Sequence, residues 1–266
     1  MRVIGEIMSK LEGKVVIVTG GARGIGKGIA MASAREGADI VIADILVDSA
    51  EKTAEEIRAL GRKAIAVKTD VTKSKDVENM VKITLDEFGK IDVLVNNAGT
   101  SKPASLEELS KLKSPLEIEE ADWDTTINVN LKGVYLCCKY VIPHMREKKK
   151  GKIINISSST GTMRGNTLIP HYGAAKAAVI NYTGSLAMIL GKYGITANAI
   201  CPHFIFTDIW KTAVGGEQNK ETFDKIVKSQ TIQRRETTPE KIAALAVFLM
   251  SEDGNDITAQ AIDVGS

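Results

Sequence analysis

Tyr172 and Lys176 stand four residues apart at the start of a helical pattern, a spacing that puts both on one helix face, where their side chains converge. A tyrosine hydroxyl near pKa 10 is a poor base at neutral pH. A lysine ammonium about 6 Å away, at an effective dielectric near 20, favours the phenolate by roughly 3 kcal/mol, or about two pKa units. Such a pair can take a proton from an alcohol while hydride leaves for a nicotinamide, or return it to an alkoxide when hydride moves the other way. Spacing alone does not select the pair. With five tyrosines in the chain, about half a Tyr-x-x-x-Lys match arises by chance, and Tyr135 with Lys139 is a second one. Context separates them: Tyr172 follows a strand pattern ending in Ser157, Ser158 and Ser159, whereas Tyr135 lies mid-helix among apolar neighbours, as packing or interface residues do.

A second constellation is built to hold phosphate. Thr19-Gly20-Gly21-Ala22-Arg23-Gly24-Ile25-Gly26 follows the first apolar strand pattern and opens the first helical one. Glycines there permit a tight turn and let backbone N–H groups reach a pyrophosphate at a helix N-terminus. Asp44 ends the second strand pattern, where a carboxylate accepts the adenosine ribose hydroxyls and repels a 2'-phosphate. Arg23 cuts the other way, since a guanidinium in the loop can pair with that phosphate. The carboxylate acts directly on the ribose, so the reading favours NAD over NADP.

These groups need a frame, and the hydrophobic pattern supplies one. Short apolar runs at Val15 to Val18, Ile40 to Ala43, Ala64 to Val67, Val93 to Val95, Ile153 to Ile156, Thr196 to Ile200 and Ala261 to Val264 alternate with helical patterns. Those run at about Gly24 to Glu36, Ser49 to Leu60, Ser74 to Phe88, Asp122 to Arg146, His171 to Lys192 and Glu240 to Met250. The last is expected to start with Thr238 as N-cap and Pro239 at its first position. The alternation predicts an α/β protein: a single doubly wound, Rossmann-type domain with a seven-stranded parallel sheet and helices on both faces. Residues 1–10 read as an N-terminal extension and 11–266 as the domain, with Met8 a second plausible start. Two connections exceed ordinary loop lengths, Gly99 to Ala121 and Pro202 to Thr238, the latter with a helix around Glu221 to Lys228.

In this order the motifs resemble the short-chain dehydrogenase/reductase family, from about Leu11 to Val264. The resemblance rests on the TGxxxGxG loop, Asp70-Val71 after the third strand, Asn96-Asn97-Ala98-Gly99 after the fourth, Asn130 in Val-Asn-Leu-Lys-Gly, the serine strand end, and Tyr172-x-x-x-Lys176. It implies a catalytic set of Asn130, Ser158, Tyr172 and Lys176, with Asn130 anchoring a water that connects Lys176 to solvent. Asp70 and Val71 would border the adenine, and Asn97, Ala98 and Gly99 would pack on the cofactor along with Gly20, Arg23, Gly24, Ile25, Gly26, Asp44, Pro202, Ile205 and Thr207. The family's usual spacing to the tyrosine selects Ser159, whereas alignment on Ser-x-x-Gly before Gly161 and strand phase select Ser158. Ser158 is preferred and Ser159 stays open. A homotetramer is the implied assembly, through the last strand and its helix and through the helices from Asp122 and His171.

The chain departs from the pattern after the sixth strand, where His203 stands in place of a glycine. Either its backbone has negative φ or it is strained, and its ring is either a tolerated neighbour of the cofactor or a substrate contact. His171 is expected to cap the start of its helix, and His144 to lie at the surface. Phe204, Phe206 and Trp210 form either an apolar wall over the substrate or loop packing. Glu107, Glu108, Glu117, Glu119 and Glu120 mark the first long connection as a solvated insertion.

Bulk properties set the remaining bounds. The 35 Lys and Arg nearly balance the 33 Asp and Glu, which argues against nucleic acid and for a small molecule. No Arg or Lys stands out as an anchor for a substrate anion, so a neutral substrate is expected. Lys148, Lys149 and Lys150 sit where cations meet a helix C-terminus. Cys137, Cys138 and Cys201 lack disulfide or metal spacing and read as buried thiols in a reducing compartment. With no membrane-length apolar run or signal-peptide pattern, a cytoplasmic protein without a metal is expected. The favoured activity is NAD(H)-dependent interconversion of a secondary alcohol or polyol and its ketone. An NADPH-dependent carbonyl or 3-oxoacyl-thioester reductase, suggested by Gly161-Thr162-Met163, and a non-catalytic nucleotide-binding protein are the alternatives.

Overall fold

Seven parallel strands form one sheet in the order β3-β2-β1-β4-β5-β6-β7: β1 (Val15–Thr19), β2 (Asp39–Asp44), β3 (Ala64–Lys68), β4 (Val93–Asn96), β5 (Gly151–Ile156), β6 (Ile195–Pro202) and β7 (Ala261–Val264). The computed structural model describes residues 9–102, 105, 107–108, 111, 117–163, 169–213 and 215–265, with the side chains of Ile209 and Thr212 left aside. The first eight residues, including Met8, and part of the 99–121 connection therefore lie outside the described residues. Strands β1, β4 and β5 are buried on both faces, which is why they read as unbroken apolar runs. Register is continuous, as in Val16↔Val93, Val18↔Val95 and Asn96↔Asn155.

Helices cover both faces: α1 (Gly24–Arg35), α2 (Val47–Ala59), α3 (Ser74–Phe88), α4 (Glu120–Ile127), α5 (Gly133–Lys148), α6 (Pro170–Leu190), α7 (Lys220–Gln230) and α8 (Pro239–Met250). One core layer holds Ile29, Ile42, Val95, Ile154, Ile242 and Met250, and the other holds Ile17, Val77, Leu94, Val141, Ile153 and Val179. Between β4, β5 and α6 runs a buried polar chain. Asn96 Nδ2 donates to Asn155 Oδ1 at 2.8 Å, and Asn155 Nδ2 donates to Thr183 Oγ1 at 2.8 Å. In an apolar layer such bonds fix the height of a helix on a sheet, because breaking one strands a buried polar group.

Three sequence expectations change. The helix expected from Asp122 to Arg146 is interrupted by a π-turn at Asn128–Lys132, which separates α4 from α5. Thr238 and Pro239 start α8 as expected, yet the Thr238 side chain makes no capping bond to the helix backbone. A short helix at Asp208–Ala213, absent from the sequence reading, follows β6. Among the described residues no helix is long and apolar enough to cross a membrane, and no group of His, Cys, Asp or Glu is arranged to hold a metal ion. The three cysteines are buried and unpaired.

Candidate active site

The strand order reverses between β1 and β4, so their C-terminal ends diverge into a crevice where open α/β sheets bind ligands. One wall is the turn from β1 into α1. Gly20 has φ +63, and a Cβ there would lie 2.8 Å from the Cα of Ala98, at the end of β4. A Cβ on Gly26 would lie 2.2 Å from the Gly20 carbonyl oxygen, so the helix start is pressed on its own loop. Only glycine fits either position. Asn97 Nδ2 donates to the carbonyls of Thr19 at 3.0 Å and Gly20 at 2.9 Å, and the backbone N–H groups of Asn97 and Ala98 reach Thr19 Oγ1. Asn97 and Ala98 thus hold the loop's shape, with Thr19 as a partner that the sequence reading missed. The result is a cradle of backbone at a helix N-terminus, the chemistry that takes a pyrophosphate.

Asp44 is buried beside this cradle. Its Oδ2 accepts from Ala22 N and its Oδ1 from Leu46 N, both at 3.0 Å, which fixes the carboxylate at the end of β2. Ile45, Leu46 and Val47 follow it as exposed apolar residues. Arg23 pairs with Asp208 at 2.9 Å. Gly24, Ile25 and Thr207 line the same turn, since a Cβ on Gly24 would meet Thr207 Cγ2 at 3.5 Å. Pro202 and Ile205 are buried, and Ile205 belongs to the core beneath. Asp70 accepts from Thr72 N and Oγ1 at 3.0 and 2.7 Å. Burial raises the Asp70 pKa, but these bonds and Lys73 outweigh it and hold the carboxyl below its ordinary value. Val71 is buried against Gly133.

The other wall comes from β5 and α6. Tyr172 and Lys176 lie one turn apart, with Lys176 Nζ 5.5 Å from the Tyr172 ring centroid. Lys176 is buried and donates to the Ile156 carbonyl at 3.0 Å. Burial lowers its pKa to about 8 and pushes the Tyr172 phenol up to about 12, with the nearby Ser158 hydroxyl pulling the phenol back. The direction at Tyr172 is opposite to the sequence expectation, because loss of water outweighs the stabilisation of the phenolate by Ser158. Ser158 is half-buried and turned towards Tyr172, accepting from Thr160 N and Oγ1, while Ser159 is buried as the first residue of a short helical turn, Ser159–Thr162. Gly161 seats this turn on α6, where a Cβ would come 2.7 Å from the Lys176 carbonyl carbon. That close approach is a second contact the sequence reading missed.

Asn130 sits inside the π-turn, fully buried. Its Nδ2 donates to the carbonyls of Thr100 at 2.6 Å and Thr126 at 2.8 Å, which leaves Oδ1 without a partner. A Cβ on Gly99 would lie 2.9 Å from that Oδ1 and 3.5 Å from Lys176 Nζ, so both atoms face the same point. A buried acceptor facing a buried amine is the arrangement that holds a bridging water.

The histidines and aromatics resolve their alternatives. His203 is absent from the positive-φ residues, so its backbone is unstrained, and its Nε2 lies 3.7 Å from Asp263 Oδ1. Burial lowers its pKa while Asp263 opposes the shift. His171 does not cap its helix, a position taken by Ile169; its Nε2 bonds the Lys102 carbonyl and its ring packs near Trp123. His144 is half-buried. Phe204, Phe206 and Trp210 surround the fully buried Phe223 of α7, which makes them loop packing with a small core of its own. Glu107, Glu108, Glu117, Glu119 and Glu120 are exposed, as a solvated insertion requires.

Known proteins share this arrangement. The sequence profile of the family described as short chain dehydrogenase matches residues 14–218. The BbsD subunit of (2S)-[(R)-hydroxy(phenyl)methyl]succinyl-CoA dehydrogenase from Thauera aromatica is 37% identical over 254 residues, covering 96% of each chain. The 3-oxoacyl-[acyl-carrier-protein] reductase FabG of Thermotoga maritima is 35% identical, covering 96% of this chain and 97% of that one. The crystal structure of levodione reductase superposes with a TM-score of 0.87 at 28% identity, covering 96% and 97% of the two chains.

Proposed function

The chain belongs to the short-chain dehydrogenase family, an oxidoreductase family that uses a nicotinamide cofactor, and on that premise we propose that it interconverts a secondary alcohol or polyol and its ketone with NAD(H). The observation that carries this reading is the convergence of Tyr172, Ser158, Lys176 and the unpartnered Asn130 Oδ1 around one crevice, opposite a glycine cradle.

When bound, the dinucleotide supplies the hydride donor or acceptor and, oxidised, a positive ring charge within the site. The protein's part is the proton. Tyr172, held as a neutral phenol, protonates the alkoxide that develops when a ketone is reduced, and Ser158 donates to the same oxygen. For oxidation the phenolate must form, and positive charge in a dry site favours it; below about pH 8 the Lys176 ammonium provides one such charge. Asn130 Oδ1 holds a water that passes the proton on from Lys176. Gly20, Gly24, Ile25, Gly26, Asn97, Ala98, Gly99, Asp70, Val71, Pro202, Ile205 and Thr207 would form the cofactor's bed, and Ser159 and His203 would stand at the substrate side, whereas Trp210 packs on Phe223.

NAD is preferred because Asp44, fixed at the end of β2, would meet the ribose and because the exposed residues after it are apolar, where a 2'-phosphate would need a cation. The 3-oxoacyl-thioester reductases among the relatives support a second reading with NADPH, and titration with both cofactors separates the two. Met188 and Ile189, 86% and 61% exposed on α6, with Trp123 and Tyr135 on α4 and α5, provide apolar surface for a homotetramer, which light scattering checks. The decisive test of the chemistry is Tyr172→Phe. It is expected to keep NADH affinity and lose about a hundredfold or more in turnover, and retention of more than a few per cent of activity would sink the assignment.

A further inference from the structure

Arg23 sits in the loop whose backbone binds one carboxylate, and its side chain pairs with another. Its own loop touches Asp44 through the adjacent Ala22 N–H, while its guanidinium Nη1 lies 2.9 Å from Asp208 Oδ2, in the segment after β6. The next residue pair repeats the contact between the same two loops, with Gly24 against Thr207. Arg23 is the N-cap of α1 and Asp208 opens the helix at Asp208–Ala213, so each side chain is anchored at the end of an element.

The geometry points to Asp208 as a cofactor-specificity residue that acts through Arg23. By pairing with Arg23, Asp208 withdraws the one cation of the glycine loop from the reach of a 2'-phosphate. It also keeps the Arg23 guanidinium from screening the field of Asp44 on that phosphate. Selection against NADP is then shared between Asp44, which repels the phosphate directly, and Asp208, a positioning residue that removes its counter-ion. The alternative for Arg23 raised by its place in the loop, pairing with a 2'-phosphate, requires breaking this ion pair. The pair is half-exposed, so its effect is modest and weakens with salt.

This inference rests on the NAD reading and is tested apart from it. NADH and NADPH dissociation constants are measured by fluorescence titration of the whole protein for wild type, Asp208→Asn, Arg23→Gln and the double variant. Asp208→Asn is expected to raise the preference for NADPH relative to NADH by about five- to tenfold, as a charge-assisted contact at a partly exposed site implies. The gain should vanish in the Arg23→Gln background and shrink at high salt. An unchanged ratio in Asp208→Asn, or a gain that survives Arg23→Gln, overturns the inference while leaving the NAD reading standing. Tighter NADPH than NADH binding by the wild type overturns both. Thermal melts of the four proteins keep loss of fold from imitating either result.

Discussion

The two rims of the crevice are built on opposite plans. The nucleotide rim is made of backbone and closed polar groups: Gly26 has no room for a methyl, both Asp44 oxygens accept backbone N–H groups, and Asn97 ties Thr19 to Gly20. The substrate rim is made of side chains and leaves polar atoms open. Asn130 Oδ1 and His171 Nδ1 are buried without partners, and the aromatic loop after β6 packs on Phe223 rather than on the sheet. A rim that binds an invariant group can be a rigid mould. One that leaves buried polar atoms open keeps groups available for proton exchange, and a small core of its own lets it pack apart from the sheet.

That contrast can be broken from either side. The largest effect is expected from Gly26→Ala, whose methyl would meet the Gly20 carbonyl oxygen at 2.2 Å. The clash costs about 3 kcal/mol or more, and NADH titration should show affinity lost along with a lower Tm. On the other rim, Phe223→Ala empties the small aromatic core at a cost of about 3 kcal/mol, felt locally. Substrate kcat/KM should fall sharply while NADH affinity holds; equal loss of both would show that the rims are not separable.

Lys152 sharpens the comparison as a control far from the site. On β5 it is buried with Nζ unpartnered, and burial lowers its pKa from 10.5 to about 8. Below about pH 8 the folded and unfolded chains both carry the charge, so the burial penalty is whole. Between 8 and 10.5 the unfolded chain binds the extra proton, so stability rises with pH across that window. Lys152→Met should therefore stabilise by about 1 kcal/mol near pH 7, with a gain that shrinks towards pH 10 and no change in turnover. Asn130→Leu tests the same idea at the site, where filling an orphan is expected to cost turnover.

Much of this was legible in the sequence, for physical reasons. Parallel strands buried on both faces must be apolar throughout, so all seven were readable to within two residues at each end. The positions of the glycine loop and Asp44 were readable because a tight turn demands glycine and a strand end is marked by the apolar run before it. What depended on distant partners was not. Arg23 could be paired in more than one way, and only the fold brings Asp208 to it. His171 looked like a cap and instead bonds Lys102, and the aromatic wall could not be told from loop packing until Phe223 was placed. The upward shift at Tyr172 likewise came from burial, which a four-residue spacing does not encode.

The π-turn at Asn128–Lys132 carries a consequence for how such a chain can vary. Bonds there close over five residues instead of four, so the bar formed by α4 and α5 holds one residue more than a continuous α-helix would need. Deleting a single residue within it would restore a regular helix with every backbone bond made; because five residues there close about one turn, as four do in an α-helix, the flanking halves would keep their faces and the change would fall on the turn itself. Asn130 would then leave the point it shares with Lys176, although no residue had been exchanged. At this turn the length of the chain, as much as the identity of its residues, is under chemical constraint.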